Sequence, residues 1–283
     1  MHPLNIAHRG GAGLMPENTL AAFADAIARG CDGAELDVQL SADGVAVVHH
    51  DFRLNAGYAR KDGVWLKPPA PRIKDLTLAQ LQSFDLGRAD PASDYALSHP
   101  DLKPADGAQI PTLAEVRDAA RAAPKPFVLF VELKSDASDD SADPAALADV
   151  VLAVMGKDLQ RTIFVGFDWR GLLRVKQQAP AAKVWFTTDR LEGDVRPIID
   201  GIAASGASGW FPHFANATPE AVAHARGKGL AIGAWTVNNP ADMGRLADLD
   251  AICTDRPDLL QALALRSIRG EDDQSPSKRA VDR

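Results

Sequence analysis

Cysteine is scarce: Cys31 and Cys253 are the only two in 283 residues, which excludes a disulfide-built scaffold and fits a reducing compartment. Basic charge is not in excess either. Thirty-one Lys and Arg stand against 38 Asp and Glu, a net charge of −7, and the pI is near 5.5. Nucleic-acid-binding chains usually carry a basic patch or a pI above about 9, so that class is excluded. Apolar runs fall well short of the ~20 residues a membrane helix needs, so no stable membrane insertion is expected. The start, Met1-His2-Pro3-Leu4-Asn5-Ile6, lacks the basic opening and apolar stretch of a signal peptide. A cytoplasmic α/β protein, large enough for one barrel, is the expectation.

Short apolar runs alternate with helical periodicity along most of the chain. Strands are expected at Leu4–His8, Ala34–Val38, Phe127–Leu133, Ile163–Phe167, Lys183–Thr187, Gly209–Pro212, Ala231–Val237 and Ala251–Cys253. Thr19–Arg29 carries Leu20, Phe23 and Ile27 on one face. Thr112–Ala122 opens as a capping box with Glu115, and further helices fall at Pro219–Lys228 and Asp242–Leu249. Eight strands separated by helices point to a (β/α)8 TIM barrel, with an open doubly wound sheet as the alternative. Val45–His49 is an extra strand-like run. The segment Arg53–Ile110 is too long for a barrel loop and reads as an inserted lobe after the second strand, with a helical portion at Leu78–Phe84. The stretch from Phe84 through Tyr95 to Gly107 is expected to cover the barrel mouth. The barrel then occupies 1–266, and the polar stretch 267–283 reads as a disordered tail.

Barrel chemistry gathers at the C-terminal strand ends, so the polar residues there are the candidates. Glu35 and Asp37 are two apart, as are Glu132 and Lys134, so each pair faces one side of its strand. Three inward carboxylates without a cation would repel one another, and a hard divalent ion such as Mg²⁺ or Ca²⁺ resolves that repulsion. Ordinary ion pairs with Arg9 and Lys134 are the plainer account of Glu35 and Asp37 taken alone; Glu132 in the same layer favours the cation. With no cysteine or histidine cluster at zinc spacing, a structural zinc site is not expected. His8 and His50 are natural proton carriers, and the planar fork of Arg9 beside Gly10-Gly11 suits phosphate oxygens.

These residues also form a series. His8-Arg9-Gly10, Glu17-Asn18-Thr19, Glu35-Leu36-Asp37-Val38, His50-Asp51, Pro111-Thr112-Leu113, Glu132-Leu133-Lys134, Trp235-Thr236-Val237-Asn238 and Thr254-Asp255-Arg256-Pro257 follow one another in the order and spacing of the glycerophosphodiester phosphodiesterases. The sequence resembles that family over about Asn5 to Leu265. The resemblance implies a TIM barrel with an insertion after its second strand. It also implies metal-dependent hydrolysis of glycerophosphodiesters to glycerol 3-phosphate and an alcohol, within glycerol and lipid metabolism. By it, Glu35, Asp37 and Glu132 are the ligands of one divalent cation, Mg²⁺ or Ca²⁺. His8 and His50 become the acid–base pair, and Arg9 and Lys134 hold phosphate. Glu17 orients Arg9, and Asn18 reaches metal or phosphate unless Asn18-Thr19 simply caps a helix. Phe167 and Trp235 line the pocket, with core packing as the alternative for Trp235. A small-molecule glycerophosphodiester is the expected partner. The competing readings are a lysophospholipase D-like enzyme, for which Trp65-Leu66 would form an apolar lip, and a non-catalytic sugar-phosphate-binding barrel.

Overall fold

A computed structural model describes residues 2–137 and 141–269. Eleven strands are found among them: β1 (Leu4–Ala7), β2 (Gly33–Leu40), β3 (Ala46–Val48), β4 (Arg60–Lys61), β5 (Val64–Trp65), β6 (Val128–Leu133), β7 (Thr162–Val165), β8 (Lys183–Thr188), β9 (Gly209–Pro212), β10 (Ala231–Ala234) and β11 (Ala251–Thr254). Eight of these pair in parallel in the order β1-β2-β6-β7-β8-β9-β10-β11. β11 returns to β1, with Leu4 opposite Ala251 and Ala7 opposite Thr254. The sheet is therefore a closed barrel, which removes the open-sheet alternative. β3 is the extra run, antiparallel to the end of β2.

Strand alternation sorts the side chains into two cores. Outward residues such as Leu36, Val38, Leu129, Val131, Phe164 and Val184 pack under the helices. Inward residues Ile6, Phe130, Val165, Trp185, Phe211 and Cys253 fill the barrel, with the Phe130 and Trp185 rings edge-on at 5.2 Å. This aromatic plug is the floor on which the polar layer sits. One alternation step above Phe130 on β6 is Glu132, and the register sets it beside Asp37 on β2.

Local sequence starts the helices where expected. Thr19 Oγ1 accepts from Ala22 N at 3.2 Å to cap Leu20–Arg29, and Thr112 with Glu115 forms the capping box of Leu113–Arg121. Two strands end earlier than their apolar pattern implies. β7 stops at Val165 and β10 at Ala234, so Phe167 stands on a turn above the barrel rim, while Trp235 is held there by an isolated parallel bridge to His213. Both are large aromatic residues, and both line the cavity. The last helix runs Pro257–Arg269, so the expected disorder from 267 does not hold for its first three residues; the rest of that tail lies outside the described residues.

The 53–110 insertion has a core of its own in Leu54, Tyr58, Ala59, Ile73, Leu81, Leu86 and Ile110, joined to Val47 of β3. It contains the β4–β5 hairpin and short helices at Leu78–Leu81 and Asp94–Ser98. Its contacts run to the loops after β1 and β11: Lys103 N donates to Leu14 O, and Asp101 pairs with Arg256 at 3.0 Å. Trp65 is engaged by the Arg60 guanidinium at 5.2 Å, so its ring is used within the lobe. Among the described residues, no helix is long and apolar enough to cross a membrane.

Candidate active site

A cavity of about 290 Å³ opens at the C-terminal end of the barrel, lined by His8, Arg9, Glu35, His50, Glu132, Phe167, Phe211 and Trp235 among others. His8 and Trp235, 227 positions apart in sequence, meet there because the barrel closes. Of the two adjacent histidines after β3, His50 faces the cavity. His49 is buried against the Tyr58 ring, with its Nε2 3.3 Å from Arg53 O.

The turn after β1 is built under constraint. Arg9 adopts φ 51°, ψ 31°, a region costly for a residue with a Cβ, and Gly10 follows at φ 83°. A Cβ on Gly10 would stand 2.7 Å from the Ala22 Cβ. This turn aims the Arg9 N–H at Glu35 Oε2, 3.1 Å away, and sends its side chain back between Glu17 and Asp37. Burial opposes the guanidinium charge, yet Glu17, Asp37 and Glu35 outweigh it and raise the Arg9 pKa. Asn18, also at positive φ (55°), donates to Asp37 Oδ2 at 2.8 Å. The cap of the following helix is Thr19 alone, so Asn18 is used inside the site and not as a helix cap.

Glu35, Asp37 and Glu132 each bring a carboxylate oxygen within 4.8 Å of the other two. Burial, then the charges of Asp37 and Glu132, push the Glu35 carboxyl well above the usual carboxylate range. Its Oε1 is buried with no hydrogen-bond partner. Burial works the same way on Asp37, but His50, Arg9 and Lys134 prevail and hold it well below that range. Lys134 Nζ lies 2.9 Å from Glu132 Oε1 and 3.7 Å from Asp37 Oδ1, and these acids overcome its burial to raise its pKa. A crowded set of hard oxygen donors with one oxygen unsatisfied fits a divalent cation of the Mg²⁺ or Ca²⁺ type.

Each cavity histidine is backed by an aspartate. His8 Nδ1 is 2.6 Å from Asp255 Oδ1, and Asn238 donates to the other oxygen at 2.6 Å. Burial opposes ionisation of Asp255, but His8 and Asn238 hold its pKa at about 2. His50 Nδ1 is 2.8 Å from Asp51 Oδ1, and Asn55 donates to Asp51 Oδ2 at 2.7 Å; Asp51 is likewise lowered to about 2 against its burial. An ionised partner makes Nδ1 the protonated nitrogen and leaves Nε2 as the working atom. Asp255, Asn238, Asp51 and Asn55 have no role in the sequence reading. The available signal is position: Asp255 follows the last strand, which closure sets against the first. Glu17 does hold Arg9, at 3.0 Å, and Phe167 and Trp235 meet edge-on at 5.2 Å as a cavity wall.

Residues 8–259 match the glycerophosphoryl diester phosphodiesterase family. The chain belongs to that family. Membership places it among the phosphoric diester hydrolases. A glycerophosphodiester phosphodiesterase of Caldanaerobacter subterraneus is 32% identical over 92% of this chain and 97% of its own length. A Bacillus subtilis protein of the same name is 30% identical over 90% and 84%. A Silicibacter pomeroyi structure assigned as a glycerophosphoryl diester phosphodiesterase superposes with a TM-score of 0.85 at 33% identity, covering 93% of each chain.

Proposed function

We propose that this chain hydrolyses glycerophosphodiesters to glycerol 3-phosphate and an alcohol, with His8 and His50 as the acid–base pair and a divalent cation on Glu35, Asp37 and Glu132. The observation that carries the reading is the pair of Asp-anchored imidazoles at one cavity lined also by Arg9, Glu35 and Glu132, with Asp37 completing the acid cluster and Lys134 paired to Glu132. Family membership and the relatives' names support the substrate class.

In the proposed reaction, His8 Nε2 takes the proton of the attacking hydroxyl as the new P–O bond forms. The attacker is either the neighbouring glycerol hydroxyl or water. The bond to the leaving oxygen breaks in line, and His50 returns a proton to that oxygen. If the glycerol hydroxyl attacks, the cyclic phosphate formed is opened by water with the same two groups in reversed roles. Arg9 and Lys134 balance charge on the phosphoryl oxygens, while Phe167 and Trp235 exclude solvent on the far wall. The cation would supply Lewis-acid stabilisation of that same charge. General acid–base catalysis contributes about 10²–10⁴-fold per group, far below what phosphodiester hydrolysis demands, so charge stabilisation carries the larger share.

The test is glycerol 3-phosphate release from glycerophosphocholine after chelation and after return of Mg²⁺ or Ca²⁺. Restored release is expected, together with a cation-dependent rise in the melting temperature that Glu35→Gln abolishes. Absence of release from folded, cation-loaded protein would overturn the reading.

A further inference from the structure

The inserted lobe reaches the site through Glu17. This carboxylate is buried, and it collects three donors: Arg9 Nη1 at 3.0 Å, Tyr95 Oη at 2.9 Å and Tyr58 Oη at 3.4 Å. Both tyrosines belong to the 53–110 segment, and their rings lie 4.7 Å apart. His99 stacks on the other face of this pair, 4.2 Å from Tyr95, and its Nδ1 is 2.8 Å from the Tyr95 carbonyl. The Asp94–Ser98 helix that carries Tyr95 is capped by Ser93, whose hydroxyl also donates to Gly57 O at 3.1 Å. A Cβ on Gly57 would come within 3.0 Å of the Tyr95 Cβ, so the absence of a side chain there lets the helix sit this close.

Arg9 stands between two negative centres. Glu17 lies on one side, and on the other Asp37 Oδ2 is 3.4 Å from Arg9 Nε. If Glu17 turned away, the guanidinium would be drawn wholly to the acid cluster and lose its station at the cavity wall. A buried carboxylate keeps its orientation only while its oxygens are satisfied, and Tyr95 is the donor to Oε2. We infer that Tyr95 is a positioning residue: through Glu17 it holds Arg9 where a phosphoryl group can be bound, so docking of the inserted lobe sets the anion affinity of the site. This rests on the reading of Arg9 as a phosphate contact given above.

The experiment uses the full chain loaded with Mg²⁺, titrated with inorganic phosphate by calorimetry and assayed with glycerophosphocholine, phosphate being the competitive inhibitor. Tyr95→Phe keeps the ring stack and removes one hydroxyl. The expected result is about a tenfold weaker phosphate affinity, the size of one lost hydrogen bond to a charged group, with an equal rise in the inhibition constant and an unchanged far-UV spectrum. KM should rise more than kcat falls. In a Glu17→Ala background, adding Tyr95→Phe should change phosphate affinity by less than about twofold, because the path through Glu17 is already cut. Full additivity of the two changes, or a folded Tyr95→Phe variant with phosphate affinity within about twofold of the parent, would overturn the inference. Arg9→Lys separates the two failures. If it weakens phosphate while Tyr95→Phe does not, the positioning role alone is wrong; if it too has no effect, the assignment of Arg9 falls and takes the inference with it.

Discussion

His8→Ala and His50→Ala are each expected to lower turnover by about 10²–10⁴-fold. Cation binding, followed as the rise in melting temperature, should survive both changes. A variant with near-normal turnover would remove that histidine from the mechanism. Asp255 carries a separate signature, because its pKa of about 2 in the folded chain lies below the ordinary 3.8. A carboxyl depressed by folding stabilises the native state at pH above its unfolded value. That contribution fades as pH falls from about 4 towards 2. The shift corresponds to roughly 2 kcal/mol. Asp255→Asn should therefore be less stable than the parent at pH 6, with the gap in urea midpoint closing as pH falls below about 4. A gap that stays constant with pH would mean that the loss lies in packing.

The turn that joins β1 to the first helix does as much for the site as any strand. Its Arg9 backbone N–H reaches Glu35, its side chain spans Glu17 and Asp37, and Gly10 lies against Ala22. Gly10→Ala must relieve both a positive φ and a 2.7 Å contact, so a loss of about 1–3 kcal/mol in stability is expected from chemical denaturation. Activity should fall further than stability implies, since moving the turn moves Arg9 and His8 together. At this scale the sequence was legible where periodicity had a single meaning. The two-residue spacing of Glu35 and Asp37 put both inside the barrel, and the Thr112–Glu115 pair marked a real helix start. It was less legible at the strand ends, where Phe167 continues an apolar run beyond β7 and Trp235 keeps only an isolated bridge beyond β10. Apolar character alone does not distinguish a residue in a sheet from one that walls a cavity.

Across the whole molecule, closure is what the sequence left implicit. The partnership of Asp255 with His8 spans 247 positions and follows from β11 lying beside β1, a contact that no local pattern encodes. The same holds for Glu17 and Tyr95, 78 positions apart and on different lobes. The lobe's core is separate from the two cores of the barrel, so the two parts should lose protection separately. Leu81→Ala, at a fully buried lobe position, should cost about 2–5 kcal/mol locally. Hydrogen exchange should then quicken across 54–110 while β6, β7 and β8 keep their protection. Uniform loss over both parts would show a single cooperative unit.

One of the places where the lobe meets the barrel holds the only two tyrosines in the chain. Biosynthetic incorporation of 3-fluorotyrosine would consequently yield a fluorine spectrum of just two resonances, both from rings at the junction beside Glu17. No assignment campaign or added tag would be needed to follow the docking of the lobe, because the composition of the chain has already reduced the spectrum to that one place.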